Sequence, residues 1–228
     1  MMREDFKIKF KNQIETLKRL MGIPVDDKIL KRVEDIYYYA RDKWLTNLKR
    51  LEGKKVKYLL IAEAPPWSAE GEDIKYFYGL DDETKSHLEN STLLKSLSKS
   101  FFGDSYRISS GKEFLNDLSH KGLLLIDILP FAINYKPFKN KKEYASLINE
   151  CLPFFNEQVN NPMILWADDV RVAFAFKVAG LKIMSALNYK LILPSKQEIS
   201  LSEHSIVANG AGYPDKNLIR KVLSLDAR

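Results

Sequence analysis

Apolar residues recur at steps of three and four through Phe6, Phe10, Ile14, Leu17 and Met21, and again through Ile29, Val33, Ile36, Tyr37, Ala40, Trp44, Leu48 and Leu51. Each set draws one stripe along a helix, so residues 1–53 read as two helices that must pack against something larger. Asp26 or Asp27 can cap the second helix by accepting from the open amides of its first turn, and Gly53 can end it in the left-handed conformation. The pattern then changes. Val56 to Ala62 is a nearly continuous apolar run, the mark of a strand buried on both faces, and it stops at Pro65-Pro66. Helical spacing follows over 91–102 and 112–118, a second buried strand over 123–129 closed by Pro130, and a helix over 141–159. A third strand is expected at 163–167, a helix at 170–178 stopped by Gly180, a fourth strand at 189–193 and a last helix at 217–225. This alternation predicts an α/β fold, a three-layer sandwich with a mostly parallel four-stranded sheet over residues 54–228, with residues 1–53 as an N-terminal helical appendage.

In sheets of this kind ligands bind outside the carboxyl ends of the strands. That rule points first to Glu63, directly after the first strand, and to Asp127, inside the apolar run Ile126-Asp127-Ile128-Leu129. A carboxylate in such a run costs several kcal/mol unless it is paired, hydrogen-bonded or protonated. Both acids are therefore candidate catalytic groups, and both have a plain alternative as acceptors for backbone amides of neighbouring loops. Lys75-Tyr76-Phe77-Tyr78-Gly79 gathers three rings that can stack on a planar base or plug the core. From Asn134 to Tyr144 four lysines, Lys136, Lys139, Lys141 and Lys142, alternate with three aromatic residues, a pattern suited to phosphates and bases and equally to a solvated helix start.

Asn209 to Asp215 holds two glycines before the last helix but matches neither nucleotide-binding spacing, and a tight turn explains it as well. His204 lies in a polar loop after the fourth expected strand. Asp168-Asp169 with His204 makes a thin metal set, since acids at that place more simply begin the next helix. With one cysteine, Cys151, the chain offers no intramolecular disulfide, no cysteine-based zinc site and no iron-sulfur cluster held by four of its own thiolates, and no cofactor is expected.

Composition adds limits. Over 228 residues, 45% are hydrophobic and 29% charged, as in a globular protein with a real core, and 36 basic against 30 acidic residues leave a formal +6. That charge suits a polyanionic partner and equally an ordinary soluble surface. The apolar runs fall far short of the ~20 residues that span a bilayer, and Met1 to Asp5 lacks the core of a signal peptide, so a cytoplasmic location without membrane contact is expected.

The order of parts resembles the uracil-DNA glycosylase superfamily. In one branch the first motif reads Gly-Glu-Ala-Pro-Gly, with an aromatic residue before a later Gly; here stand Ala62-Glu63-Ala64-Pro65-Pro66 and Phe77-Tyr78-Gly79. Asp127 falls where the family's next strand ends in a polar residue that contacts base or water. Cys151 to Val159 and Pro162 to Ala167 resemble the helix and third strand of the iron-sulfur branch. The family's closing His-Pro-Ser is missing. Tyr213-Pro214-Asp215, Leu193-Pro194-Ser195 and His204-Ser205 are the candidates for its place, and order along the chain favours Tyr213. The resemblance implies a divergent glycosylase-like protein that binds DNA or a nucleobase and hydrolyses an N-glycosidic bond in DNA repair. Its catalytic groups would be Glu63, Asp127 and Tyr213. Ala64, Pro65, Pro66, Trp67, Tyr76, Phe77, Tyr78, Pro130 and His204 would hold the substrate, with the four lysines on the nucleic acid. The alternative is a non-catalytic nucleic-acid or nucleotide binder of the same fold.

Overall fold

The computed structural model describes residues 4–21, 26–82, 91–133, 142–210 and 212–225. The first stripe forms two helices, α1 (Glu4–Lys9) and α2 (Lys11–Met21), and the second forms α3 (Asp27–Arg50). Asp26 caps α3, its carboxylate accepting from the Ile29 amide at 2.8 Å. The apolar face of α3, from Leu30 and Val33 through Tyr37, Ala40 and Trp44 to Leu48, is buried, as its spacing requires.

The first strand, β1 (Lys55–Ala62), is the centre of a three-stranded sheet. It pairs in parallel with β2 (Leu123–Asp127) on one side and β3 (Leu165–Phe174) on the other. Between β1 and β2 come a 3-10 turn (Phe77–Asp82) and the helices α4 (Thr92–Phe102) and α5 (Gly111–Lys121). Ser91 caps α4 and Ser110 caps α5. The helix α6 (Lys142–Val159) leads from β2 to β3, and α7 (Lys177–Ala186) follows β3. α5 and α6 pack on β2, and α7 on β1.

Two expectations for the sheet are corrected. The third strand does not stop at Ala167; it runs to Phe174, and the helix expected at 170–178 starts only at Lys177. Val56 pairs with Trp166 and Tyr58 with Arg171, so β3 bulges outward between them and carries Asp168 and Asp169 into solvent. The expected fourth parallel strand is also absent from this sheet. Lys190–Ile192 (β4) instead pairs antiparallel with Glu198–Ser200 (β5), because the turn through Lys196, at φ 62°, returns the chain at once. Beside β3 the fourth position holds only a bridge from Ile206 to Phe174. The described part of the sheet is thus three parallel strands plus a separate two-stranded hairpin. The last helix, α8 (Lys216–Leu223), packs on α4 and β3, capped by Asp215.

The N-terminal helices share one core with the sheet. Phe10 meets Phe131 and Phe154 edge-on with centroids 5.6 and 5.9 Å apart, and Thr16 donates to Glu150 of α6 at 2.8 Å. No helix among the described residues is long and apolar enough to cross a membrane.

Candidate functional site

Parallel pairing of β1 with β2 sets Ala62 opposite Asp127, so Glu63 and Asp127 leave adjacent strands at the same end of the sheet. The chain stays paired one step further: the Ile128 amide donates to Ala62 at 3.1 Å and the Leu129 amide to Glu63 at 2.9 Å. Both carboxylates are buried, at 4% and 7% exposure, which demands partners. Tyrosines supply them. The Tyr144 hydroxyl on α6 donates to Oε1 of Glu63, and the Tyr76 hydroxyl hydrogen-bonds to Asp127. Oδ2 of Asp127 is buried with no hydrogen-bond partner among the described residues.

Burial pushes the Asp127 carboxyl up to about 7; the Tyr76 hydroxyl works in the opposite sense, and the nearby Glu63 charge adds to the rise. Burial likewise holds the Tyr76 and Tyr78 phenols well above their ordinary range, so both are proton donors at neutral pH. Asp127 can thus exchange a proton near neutrality while its neighbours keep theirs.

Two cavities meet at this acid, and Asp127 and Tyr76 line both. The first, about 160 Å³, is mainly apolar: Ala62, Ala64, Pro66, Phe77, Leu80, Leu93, Leu94, Leu125 and Phe176 surround it. The second, about 190 Å³, opens between α3 and α6 and is walled by Tyr37, Trp44, Pro65, Leu129, Pro130 and Phe154, with Gln158 and Asn161 beside them. The loop from β1 to the Phe77 turn is tied to α3 by Arg32, which donates to the Ser68 carbonyl at 2.8 Å, and is braced within itself by the Lys75 amide, which donates to the Ser68 hydroxyl at 3.2 Å.

The remaining expected site residues divide by position. Ala64, Pro66, Tyr76 and Phe77 join Asp127 at the apolar cavity, whereas Pro65 and Pro130 face the other one. Tyr78 is a strut: its hydroxyl accepts from the Leu125 amide at 2.6 Å and donates to the Leu125 carbonyl at 3.1 Å. Trp67 packs half-buried against the core. Tyr213 is 57% exposed and lines neither cavity; its loop is pinned to α4 by the Ser96 hydroxyl, which donates to the Pro214 carbonyl at 2.7 Å. His204 is exposed in a 3-10 turn (Glu203–Ser205), also away from both cavities. Lys142 is exposed at the start of α6, and Lys136, Lys139 and Lys141 lie outside the described residues. Among the described residues no group of three or more His, Cys, Asp or Glu could hold a metal ion.

Sequence reasoning missed the partners. Tyr144 reads as the last ring of the lysine-rich segment and as part of an apolar helix stripe, not as the partner of Glu63, and neither Trp44 nor Gln158 stands out as a polar group. The aromatic cluster around Tyr76 was the one visible signal. In comparisons with known proteins, no family model, no curated protein and no solved structure matches this chain.

Proposed function

We propose that the protein binds a nucleobase in the apolar cavity and hydrolyses its N-glycosidic bond with Asp127 as general base. The observation that carries this reading is the buried Asp127 carboxyl, with one oxygen unpartnered, at the junction of two ring-sized cavities. Its raised proton affinity suits a group that takes and returns a proton at neutral pH. The likeness of Ala62 to Pro66 and Phe77 to Gly79 to glycosylase motifs adds support, as a resemblance only.

In this reading the base lies against Phe77, a contact worth ~1–3 kcal/mol. Asp127 takes a proton from water as the water oxygen bonds to the anomeric carbon. The carbon–nitrogen bond breaks with its electron pair going to the base, which then receives the proton back from Asp127. Tyr76 and Tyr144 hold the two carboxylates in place, and burial, with a smaller contribution from nearby Glu63, keeps the Asp127 proton affinity high.

Release of free base from uracil-containing single and double strands and from nucleosides, followed chromatographically, tests the reading. Asp127→Ala should abolish release and leave binding within a few-fold; a variant that cuts as well as the parent protein refutes it. A second reading, a non-catalytic binder, is favoured by the engagement of both acids by tyrosines, as in a purely structural network. Salt-sensitive binding with no base release would select it.

A further inference from the structure

The cavity between α3 and α6 carries an unusual set of polar atoms. Nε1 of Trp44, Oε1 of Gln158 and Oδ2 of Asp127 are all buried, none has a hydrogen-bond partner among the described residues, and all three residues line this one cavity. Trp44 is only 4% exposed. Each such orphan costs ~1–3 kcal/mol, and three residues that carry them around a single space are most simply explained by a ligand that supplies the missing bonds. An indole N–H can only donate and an amide oxygen can only accept. A hydroxyl, which both donates and accepts, can serve either of them. The remaining walls include the rings of Tyr37, Tyr76 and Phe154, flat apolar faces against which the C–H side of a sugar packs.

We infer that this second cavity is a sugar site, and that the substrate class is the ribonucleoside, with its base in the apolar cavity and its hydroxyl-bearing ribose between α3 and α6. Asp127, shared by both spaces, then stands at the bond between the two rings. This rests on the proposed glycosidic chemistry and makes it more specific. Inside a DNA strand the sugar has no 2′-hydroxyl and its 3′ and 5′ oxygens are esterified, so it offers no hydroxyl donor to Gln158. A free ribonucleoside offers three.

The test uses the full chain and three probes: uridine, 2′-deoxyuridine and methyl β-D-ribofuranoside, a ribose locked as a five-membered ring with no base. Binding is read by ligand-detected NMR and calorimetry in the parent protein, Trp44→Phe and Gln158→Leu. Trp44→Phe keeps a ring and loses the N–H; Gln158→Leu lies on a half-buried helix position and keeps most of the volume, and circular dichroism confirms that both fold. The ribofuranoside should bind, and each variant should weaken it roughly tenfold, the value of one hydrogen bond. Uridine should bind more tightly than 2′-deoxyuridine, with the same losses, while binding of free uracil stays unchanged. If the ribofuranoside does not bind, or binds both variants as it binds the parent, the sugar site is refuted. Ribofuranoside binding that is sensitive to Trp44, with no base released from any substrate, keeps the sugar site and removes the glycosidic chemistry. Base release from DNA that ignores both substitutions keeps the chemistry and removes the sugar site.

Discussion

The single hydroxyl of Tyr78 satisfies both outward-facing backbone groups of Leu125, accepting from its amide at 2.6 Å and donating to its carbonyl at 3.1 Å. β2 is an edge strand, and this side chain stands where a neighbouring strand would be. Tyr78→Phe removes the hydroxyl, keeps the ring and leaves two buried backbone groups unpaired. At ~1–3 kcal/mol each, the loss of unfolding free energy should be about 2–6 kcal/mol in guanidinium melts. A loss within ~0.5 kcal/mol, the usual effect of a neutral surface change, would show that water replaces the hydroxyl.

Stability should depend on pH through Asp127. Its carboxyl is raised from 3.8 to about 7 in the folded chain, mainly by burial. Below about pH 4 both states hold the proton. Between about 4 and 7 the unfolded chain releases it and the folded chain keeps it, so stability falls as pH rises through this window and levels off above it. Asp127→Asn should flatten the slope and be more stable than the parent by a few kcal/mol at pH 8, at ~1.4 kcal/mol per unit. Urea midpoints measured from pH 4 to 8 check this; parallel curves for the two proteins would contradict it.

If Asp127 is the base, turnover at saturating substrate rises as pH passes through about 7, since only the ionised form can take a proton from water. Glu63→Gln removes the nearby charge that contributes to the raised value, so the midpoint of that limb should move to lower pH. A midpoint unmoved by this change would show that the two carboxylates do not sense each other.

The Tyr144–Glu63 hydrogen bond spans α6 and the end of β1. Tyr144→Phe should cost ~1–3 kcal/mol, because an acceptor oxygen of a side chain at 4% exposure loses a donor. If the glycosidic reading holds, it should also lower turnover more than it weakens base binding, since the Tyr144 ring lines neither cavity. Equal effects on both would place Tyr144 outside the site's support.

Gly111, the first residue of α5, has no room for a methyl group: a Cβ there would lie 2.0 Å from the Leu80 carbonyl oxygen and 2.7 Å from the Leu80 Cβ. Leu80 belongs to the turn that carries Phe77 into the apolar cavity. Gly111→Ala should therefore destabilise by ~1–3 kcal/mol or more and weaken base binding as the turn shifts. Chemical denaturation and uracil titration measure the two effects separately.

The strands that bracket the acids were readable because Val56 to Ala62 is apolar apart from the exposed Lys57 and buried from Leu59 onward, and Leu123 to Ile126 is wholly apolar and buried. The cap at Asp26 was legible for a local reason too, since an acid stands directly before the apolar stripe of α3. β3 was misread because Asp168 and Asp169 interrupt its apolar pattern, and only the pairing with β1 reveals that the bulge lifts them out while Val170 and Val172 stay buried. Lys190 to Ile192 has the alternation of any half-buried strand, which does not say which sheet it joins. The tyrosine partners were hidden by distance along the chain: Tyr144 lies 81 positions from Glu63, and nothing local marks one ring in an apolar stripe as a hydroxyl donor.

Trp44 belongs to α3 and Gln158 to α6, whereas Glu63 and Asp127 belong to the strand ends. On the proposed reading, selectivity and reactivity would be written into separate stretches of the polypeptide. Changes on the helical walls would then redirect which guest is admitted while the acidic pair stays untouched, so the N-terminal segment would be a natural place to begin retuning this scaffold for a new compound.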